Sequence, residues 1–286
     1  QRFESAMLHH PKSLEKSRGF SLLSMSRNDG TTQVRVNRRV VGADQGNFPE
    51  REAGQKGRPR NEDRPILNGI LWIVRSGAAW RDLPERYGAW STVYSRFVQW
   101  QEEGLFDTIL KELSEEADFQ DMSIDSSTEK AHQASAVKKE AVDSECNQHI
   151  GLSRGGKTTK IHAIVDALGN PIHIHLSAGN LHDLTEAQAA LSEVPLDRGF
   201  VLADKAYGTT DIRAFIENAG GNYCIPPKSN AVNTWDCDWY LYKERHLVEC
   251  FFQKLKMFRR IATRYEKLAK RFLAIVQIGC IMIWLA

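Results

Sequence analysis

Residues 160–176 read K-I-H-A-I-V-D-A-L-G-N-P-I-H-I-H-L. Two runs rich in β-branched residues, 160–167 and 171–176, flank the turn-forming L-G-N, and this pattern predicts a β-hairpin. Upstream, Met122-Ser123-Ile124 reads as a short strand ending on Asp125. Between them, 126–157 is polar and basic, with Lys138-Lys139 and S-R-G-G-K at 153–157, and reads as a loop. Downstream, 184–194 predicts a helix, 200–203 a short apolar strand ending at Asp204, and 210–219 a second helix. A strand at 222–225 is closed by Pro226-Pro227, and 242–263 predicts one long helix before an apolar helix that runs to the C-terminus. Strand, hairpin, helix, strand, helix, strand, helix is the order of an α/β fold with mixed strand directions.

The N-terminal side differs. Ile66, Leu67, Ile70, Leu71 and Val74 recur at helical spacing and predict an amphipathic helix ending near Ser76-Gly77. Ser91 is a candidate N-cap for a second helix, with Val93, Phe97 and Trp100 on one face. Two helices and a short connector, with Arg86, Tyr94, Arg96 and Gln99 available, resemble a helix-turn-helix layout; a small helical packing domain is the plainer alternative. Residues 107–118 read as a third helix or link. Residues 1–60 carry no sustained helical period, and G-Q-K-G-R-P-R at 54–60 reads as a basic linker.

A hydrophobic fraction of 42% and a charged fraction of 26% describe an ordinary globular chain. The net charge of +2 says little about partners, but its distribution says more. Residues 1–60 hold twelve Lys/Arg against six Asp/Glu, and 242–271 hold ten against three. Basic clusters in an otherwise acidic chain point to contact with a polyanion at defined places, or to solvated helix faces. The five cysteines (Cys146, Cys224, Cys237, Cys250, Cys280) form no C-x-x-C pair, which fits a reducing cytoplasm. The apolar run 272–286 contains Gln277 and falls short of the ~20 residues of a membrane span, so no membrane is expected as a partner.

Asp125 and Asp204 each end a predicted strand, where a carboxylate can be aimed into a cleft or can cap the following turn. Glu249 lies among Val248, Cys250, Phe251 and Phe252, a setting unlike that of a solvated acid. His162, His173, His175 and His182 form a competing constellation. His173 and His175 share a strand face at a spacing that could hold zinc, though only Asp183 is at hand as a further ligand.

In Y-K-E-R-H-L-V-E-C-F-F-Q-K-L-K, Tyr242, Arg245, Glu249 and Lys256 are spaced Tyr-x2-Arg-x3-Glu-x6-Lys. This resembles the YREK signature of bacterial insertion-sequence DDE transposases of the insertion-sequence-four and -five groups. D-S-S-T-E-K-A-H from Asp125 and L-A-D-K-A-Y-G around Asp204 resemble the other two acidic motifs of that family. S-R-G-G-K-T-T-K-I-H, G-N-L-H-D and the stretch from R-P-R-N-E-D-R-P to W-S-T-V-Y-S-R-F are similar to it as well, so the resemblance spans about 49–286. It implies an RNase H-like catalytic domain at 119–286, with a mixed sheet flanked by helices, and a helical, helix-turn-helix-like DNA-binding domain at 49–118. The segment 1–48 departs from the family and reads as divergent, disordered or frameshifted. The implied activity is metal-dependent strand cleavage and strand transfer, with Asp125, Asp204 and Glu249 holding two Mg²⁺ or Mn²⁺ ions. Tyr242, Arg245, Lys256 and Arg96 would contact DNA. The implied partners are double-stranded DNA, as terminal repeats and target, and a second copy as a homodimer on DNA, in the bacterial cytoplasm on the nucleoid. The aberrant N-terminus leaves a second reading, a decayed copy that binds element ends without cutting. Loss of its covering helix predicts exposure of Ile66, Ile70, Leu71 and Trp72 and makes 61–106 the weaker-folding unit.

Overall fold

The structure is a computed structural model and describes residues 63–135, 148–231 and 233–286, with the backbone of 23–28 and 31–36. Within the first unit, β1 (Leu23–Asn28) and β2 (Thr31–Val36) pair antiparallel. The rest of 1–48, like the basic linker at 54–60, lies outside the described residues. Residues 65–284 form one compact unit.

Three helices open that unit: α1 (Asp63–Ser76), α2 (Trp90–Glu102) and α3 (Leu105–Ser114). Ile66, Ile70, Ile73 and Val74 of α1 are buried, as are Val93, Phe97 and Trp100 of α2. The expected exposure of Ile66 and Ile70 is therefore not found; Leu71 and Trp72 are half-buried. Apolar side chains of the connector and of α2 supply the cover, for Gly69 of α1 lies against Tyr87 and Val93. α2 starts one residue before the expected cap, with Ala89 as N-cap.

The sheet is built on β3 (Asp121–Ala131), β5 (Gly156–Val165), β6 (Pro171–Ala178), β7 (Phe200–Leu202) and β8 (Asn222–Cys224), with β4 (Gly151–Ser153) on the edge of β5. β5 runs antiparallel to both β3 and β6, whereas β7 and β8 run parallel to β3. Taken in chain order as one to five, these strands lie 3-2-1-4-5 with the second reversed, the mixed sheet of an RNase H-like fold. The hairpin β5–β6 closes where Gly169 adopts φ 83, and the buried Asp166 accepts from the backbone N–H of Leu168 and Asn170 at 3.0 and 2.7 Å.

β3 alternates its side chains between two layers. Met122 and Ile124 join Ile164, Val201 and Ile225 in a core with Leu191 of α4 (Asp183–Leu191) and Ile212 and Ile216 of α5 (Thr210–Asn218). Asp125 and Glu129 engage Arg245 and Lys256 on the other side. The expected loop after Asp125 is instead strand to Ala131, paired with β5 through Lys130↔Thr158. Its inward residues are polar, which hid the strand from a hydrophobic pattern; Ser127 Oγ donates to Glu129 at 2.8 Å and satisfies both.

The expected single helix over 242–263 is broken. A 3₁₀ turn, Leu241–Arg245, leads into α6 (His246–Lys256), then α7 (Arg259–Ala262) and the short strand β9 (Thr263–Arg264), which pairs with β3. No Gly or Pro marks the break. Tertiary pairing decides it: Arg260 turns inward to Glu266 and to the carbonyl of Ala78, at 2.7 and 2.9 Å. α8 (Ala269–Trp284) is buried along most of its length. Among the described residues no helix is long and apolar enough to cross a membrane.

Candidate active site

The last paired residues of β3 and β7 are Ser123 and Leu202. Asp125 lies two residues past that pair, still within β3, and Asp204 two residues past the end of β7. Met122, Ile124, Val201 and Ala203 anchor both segments in the core. Asp125 accepts from Ser126 N at 2.8 Å, and Asp204 from Lys205 N at 2.6 Å. Asp204 thus caps the turn Lys205–Tyr207, two residues beyond the end of β7 rather than at the expected strand end.

Arg245, at the end of the 3₁₀ turn, joins the third element to the first. Its Nη1 donates to Asp125 Oδ2 at 3.1 Å, and its Nη2 donates to Glu249 Oε1. Two hydrogen bonds and one guanidinium span this distance, so these two carboxylates lie within about 8 Å of each other. The guanidinium also sits 5.8 Å from the centre of the Tyr242 ring. Glu249 corrects one expectation: its side chain is 51% exposed, because Val248, Phe251 and Phe252 take the inward face of α6. Burial pushes the Asp125 carboxyl above its usual range, opposed by Ser126 N–H and by Arg245. Burial works against charge on Arg245 too, but Tyr242, Glu249, Asp125 and Asp204 together raise it.

The remaining expected DNA contacts divide. Lys256, the last residue of α6, meets the buried Glu129 at 3.3 Å. Arg96 lies on α2 with its guanidinium over Trp100 at 5.8 Å, beside a polar depression of about 360 Å³ lined also by Ser91, Thr92, Ser95 and Gln99. Tyr94, offered as a base-reading residue, accepts instead from Arg271 Nη1 at 3.1 Å.

Sequence reasoning missed a second layer around the acids. Ser126 Oγ and Lys160 Nζ both donate to Asp183 Oδ1, at 2.7 and 2.8 Å. Burial pushes the Asp183 carboxyl up, but these two donors and the Lys160 charge bring it below its usual value. Tyr207 is buried, and its hydroxyl has no hydrogen-bond partner among the described residues. Burial and the charges of Asp183, Asp125 and Asp204 raise its pKa, so it stays protonated. The signal was present in K-T-T-K-I-H, G-N-L-H-D and A-D-K-A-Y-G, which hold Lys160, Asp183 and Tyr207.

The histidines do come together. His162 and His175 stack with ring centroids 4.6 Å apart, and His173 lies 5.4 Å from His175. His162 Nε2 is 2.7 Å from Ser177 Oγ. Burial lowers His162 to about 4 and His175 to about 3, so both are neutral side chains of the sheet. Among the described residues no group of three His, Cys, Asp or Glu is gathered closely enough to hold a metal ion as it stands, either here or at the acids, where Arg245 lies between Asp125 and Glu249.

Comparison with known proteins gives two family matches: a transposase of the IS4/5 family over residues 45–110 and the Transposase DDE domain over residues 117–285. A transposase for insertion sequence element IS6501 from Brucella ovis is 45% identical over 131 residues, covering 45% of this chain and 98% of that one. The uncharacterized protein y4sN of Sinorhizobium fredii is 42% identical over 96 residues, covering 34% and 76%. Among solved structures, a pre-cleavage Mos1 transpososome aligns over 87% of this chain and 92% of that one, with 12% identity and a TM-score of 0.25, too low to bear on the fold.

Proposed function

From the premise that the chain belongs to the DDE transposases of insertion sequences, we propose that it cuts and rejoins DNA with Asp125, Asp204 and Glu249 as its catalytic acids. The observation that carries this reading is the single guanidinium of Arg245 tying the carboxylate on β3 to that on α6, with Asp204 just past the end of the adjoining β7. The donor set is all oxygen and fits Mg²⁺ or Mn²⁺. The buried hydroxyl of Tyr207, without a partner among the described residues, adds a donor beside it. The three acids would hold two ions, which when bound activate the attacking hydroxyl or water and neutralise charge on the leaving 3′-oxygen.

The chain's own residues supply position and charge. Arg245 pairs with both Asp125 and Glu249 and offsets one of their two charges before DNA arrives, and its fork suits a phosphate as well as a carboxylate. Tyr242 packs on that guanidinium. Lys160 and Ser126 fix Asp183 as a negative wall behind Asp125. Lys256 and Arg96 are assigned to phosphate contact, with 49–118 as the DNA-binding domain, 119–286 as the catalytic domain and 1–48 as a divergent N-terminal segment. Double-stranded element ends, target DNA and a homodimer assembled on DNA complete the reading, in the bacterial cytoplasm on the nucleoid.

The test is strand cleavage on duplexes carrying the element's ends, with Mg²⁺, with Mn²⁺ and with chelator. Cleavage that depends on either ion supports the proposal. DNA binding without cleavage under all three conditions would leave only the decayed, DNA-binding copy.

A further inference from the structure

We propose that Cys224 and Cys237 form a reversible disulfide, and that this bond displaces the segment leading into Arg245. Cys224 ends β8 and Cys237 lies in the connection that follows; their sulfurs are 3.6 Å apart. The sequence separates them by thirteen positions, and no C-x-x-C spacing announces the pair.

The surroundings hold the two thiols together. Trp235 Nε1 donates to Ile225 O at 2.7 Å, and Arg213 stacks on the Trp235 ring at 3.7 Å. Cys224 Sγ donates to Asp238 O at 3.2 Å. Asp238 in turn starts the 3₁₀ turn: its Oδ1 accepts from Tyr240 N and Leu241 N, at 2.8 and 3.1 Å, and its carbonyl accepts from Tyr242 N at 2.8 Å.

Cys237, the more exposed thiol, attacks one sulfur of a low-molecular-weight disulfide such as oxidised glutathione and releases one glutathione thiolate. Cys224 Sγ then attacks Cys237 Sγ and expels the second glutathione. The two cysteines lose two electrons and two protons, and one glutathione disulfide becomes two thiols. Burial pushes both cysteines up, Cys224 to about 12, so the exchange is slow and the dithiol persists until oxidation is sustained. Closure to a bond of about 2.05 Å draws the sulfurs together by roughly 1.5 Å. It also removes the S–H that Cys224 gives to Asp238. Both changes act on the turn that delivers Arg245, where misplacement on the order of 1 Å costs about 100-fold in rate.

The full chain is incubated with oxidised glutathione, alkylated and digested with trypsin. Cleavage at Lys228 puts Cys224 in the peptide 214–228 and Cys237 in 229–243, with one cysteine each. The expected product is these two peptides joined, absent after dithiothreitol and absent in Cys237→Ser. Full alkylation of both, or a stable glutathione adduct on Cys237 alone, overturns the proposal. The effect on rate rests on the proposed strand cleavage and is read separately. The cross-linked protein is expected to cleave at least tenfold more slowly and to recover on reduction, with Cys237→Ser indifferent to oxidant. Cross-linking with unchanged cleavage removes the displacement of Arg245 but keeps the modification site. A reduced protein that does not cleave counts against the cleavage reading and leaves the mapping to decide the disulfide.

Discussion

Arg245 and Lys256 flank Glu249 on the sequence, yet they do different work. Arg245 bridges two acids of the site, while Lys256 reaches the buried Glu129 on β3. Burial pushes the Glu129 carboxyl above its usual range, against the Ser127 hydroxyl and the Lys256 charge that favour ionisation. Lys256→Ala strands that carboxylate. Because the ammonium is 45% exposed, water partly replaces it, and the expected loss is about 1 kcal/mol. In a Glu129→Gln background the same change should cost less than about 0.5 kcal/mol, as expected for a pair that interacts directly. Urea denaturation of the four proteins measures the coupling; additive costs would show that the pair contributes nothing. A salt slope of DNA binding that flattens by about one unit in Lys256→Ala would show that the same ammonium also meets phosphate.

At the scale of the element, the hairpin, the starts of the short strands and the helices between them were legible because their side chains follow simple periods. What was not legible follows one physical rule: tertiary pairing overrode the local pattern. The second half of β3 is strand because β5 pairs with it, although its inward residues are Ser127 and Glu129. The break after α6 exists because Arg260 and β9 have partners elsewhere. The sequence offered the three acids through motif resemblance, and the structure brings Asp125 and Glu249 onto one guanidinium, although Asp125 lies within β3 and Asp204 beyond β7 rather than at the expected strand ends. Arg245 as the bridge, and the layer of Lys160, Asp183 and Tyr207, required contacts across as many as 120 positions. The hairpin histidines give a pH test. Folded, His175 and His162 take up protons only near pH 3 and 4; unfolded, they do so near 6.5. Between those values the unfolded chain binds more protons. Stability is therefore full above pH ~6.5 and falls as pH drops through the window, by roughly 1.4 kcal/mol per pH unit for each histidine. His175→Gln should flatten this acid limb in urea midpoints taken at pH 7, 5 and 4; an unchanged limb would assign the loss to other groups.

At the scale of the whole molecule, residues 65–284 hold together through side chains that link the helical segment to the sheet region. Arg260 reaches Ala78 O, Arg271 reaches Tyr94, and Gln277 Nε2 donates to Asp107 Oδ1 at 3.3 Å. One compact unit over 65–284 predicts one cooperative transition in place of a weaker 61–106 unit. Gly77, at φ 72 against Arg259, has no room for a side chain at this junction. Arg260→Met should leave the buried Glu266 unpaired and cost about 3 kcal/mol. Hydrogen exchange should show α1 and α2 opening with the same free energy as β5; much faster exchange in the helices alone would restore the two-unit picture.

The central claim is that three acids, on β3, just after β7 and on α6, cut DNA, and the most direct measurement is strand cleavage by Asp125→Asn, Asp204→Asn and Glu249→Gln with binding to the same duplex recorded alongside. Cleavage should fall at least about 1,000-fold in each variant, a barrier increase of about 4 kcal/mol, while binding changes less than tenfold. Any one of the three variants cutting at the wild-type rate would contradict the account.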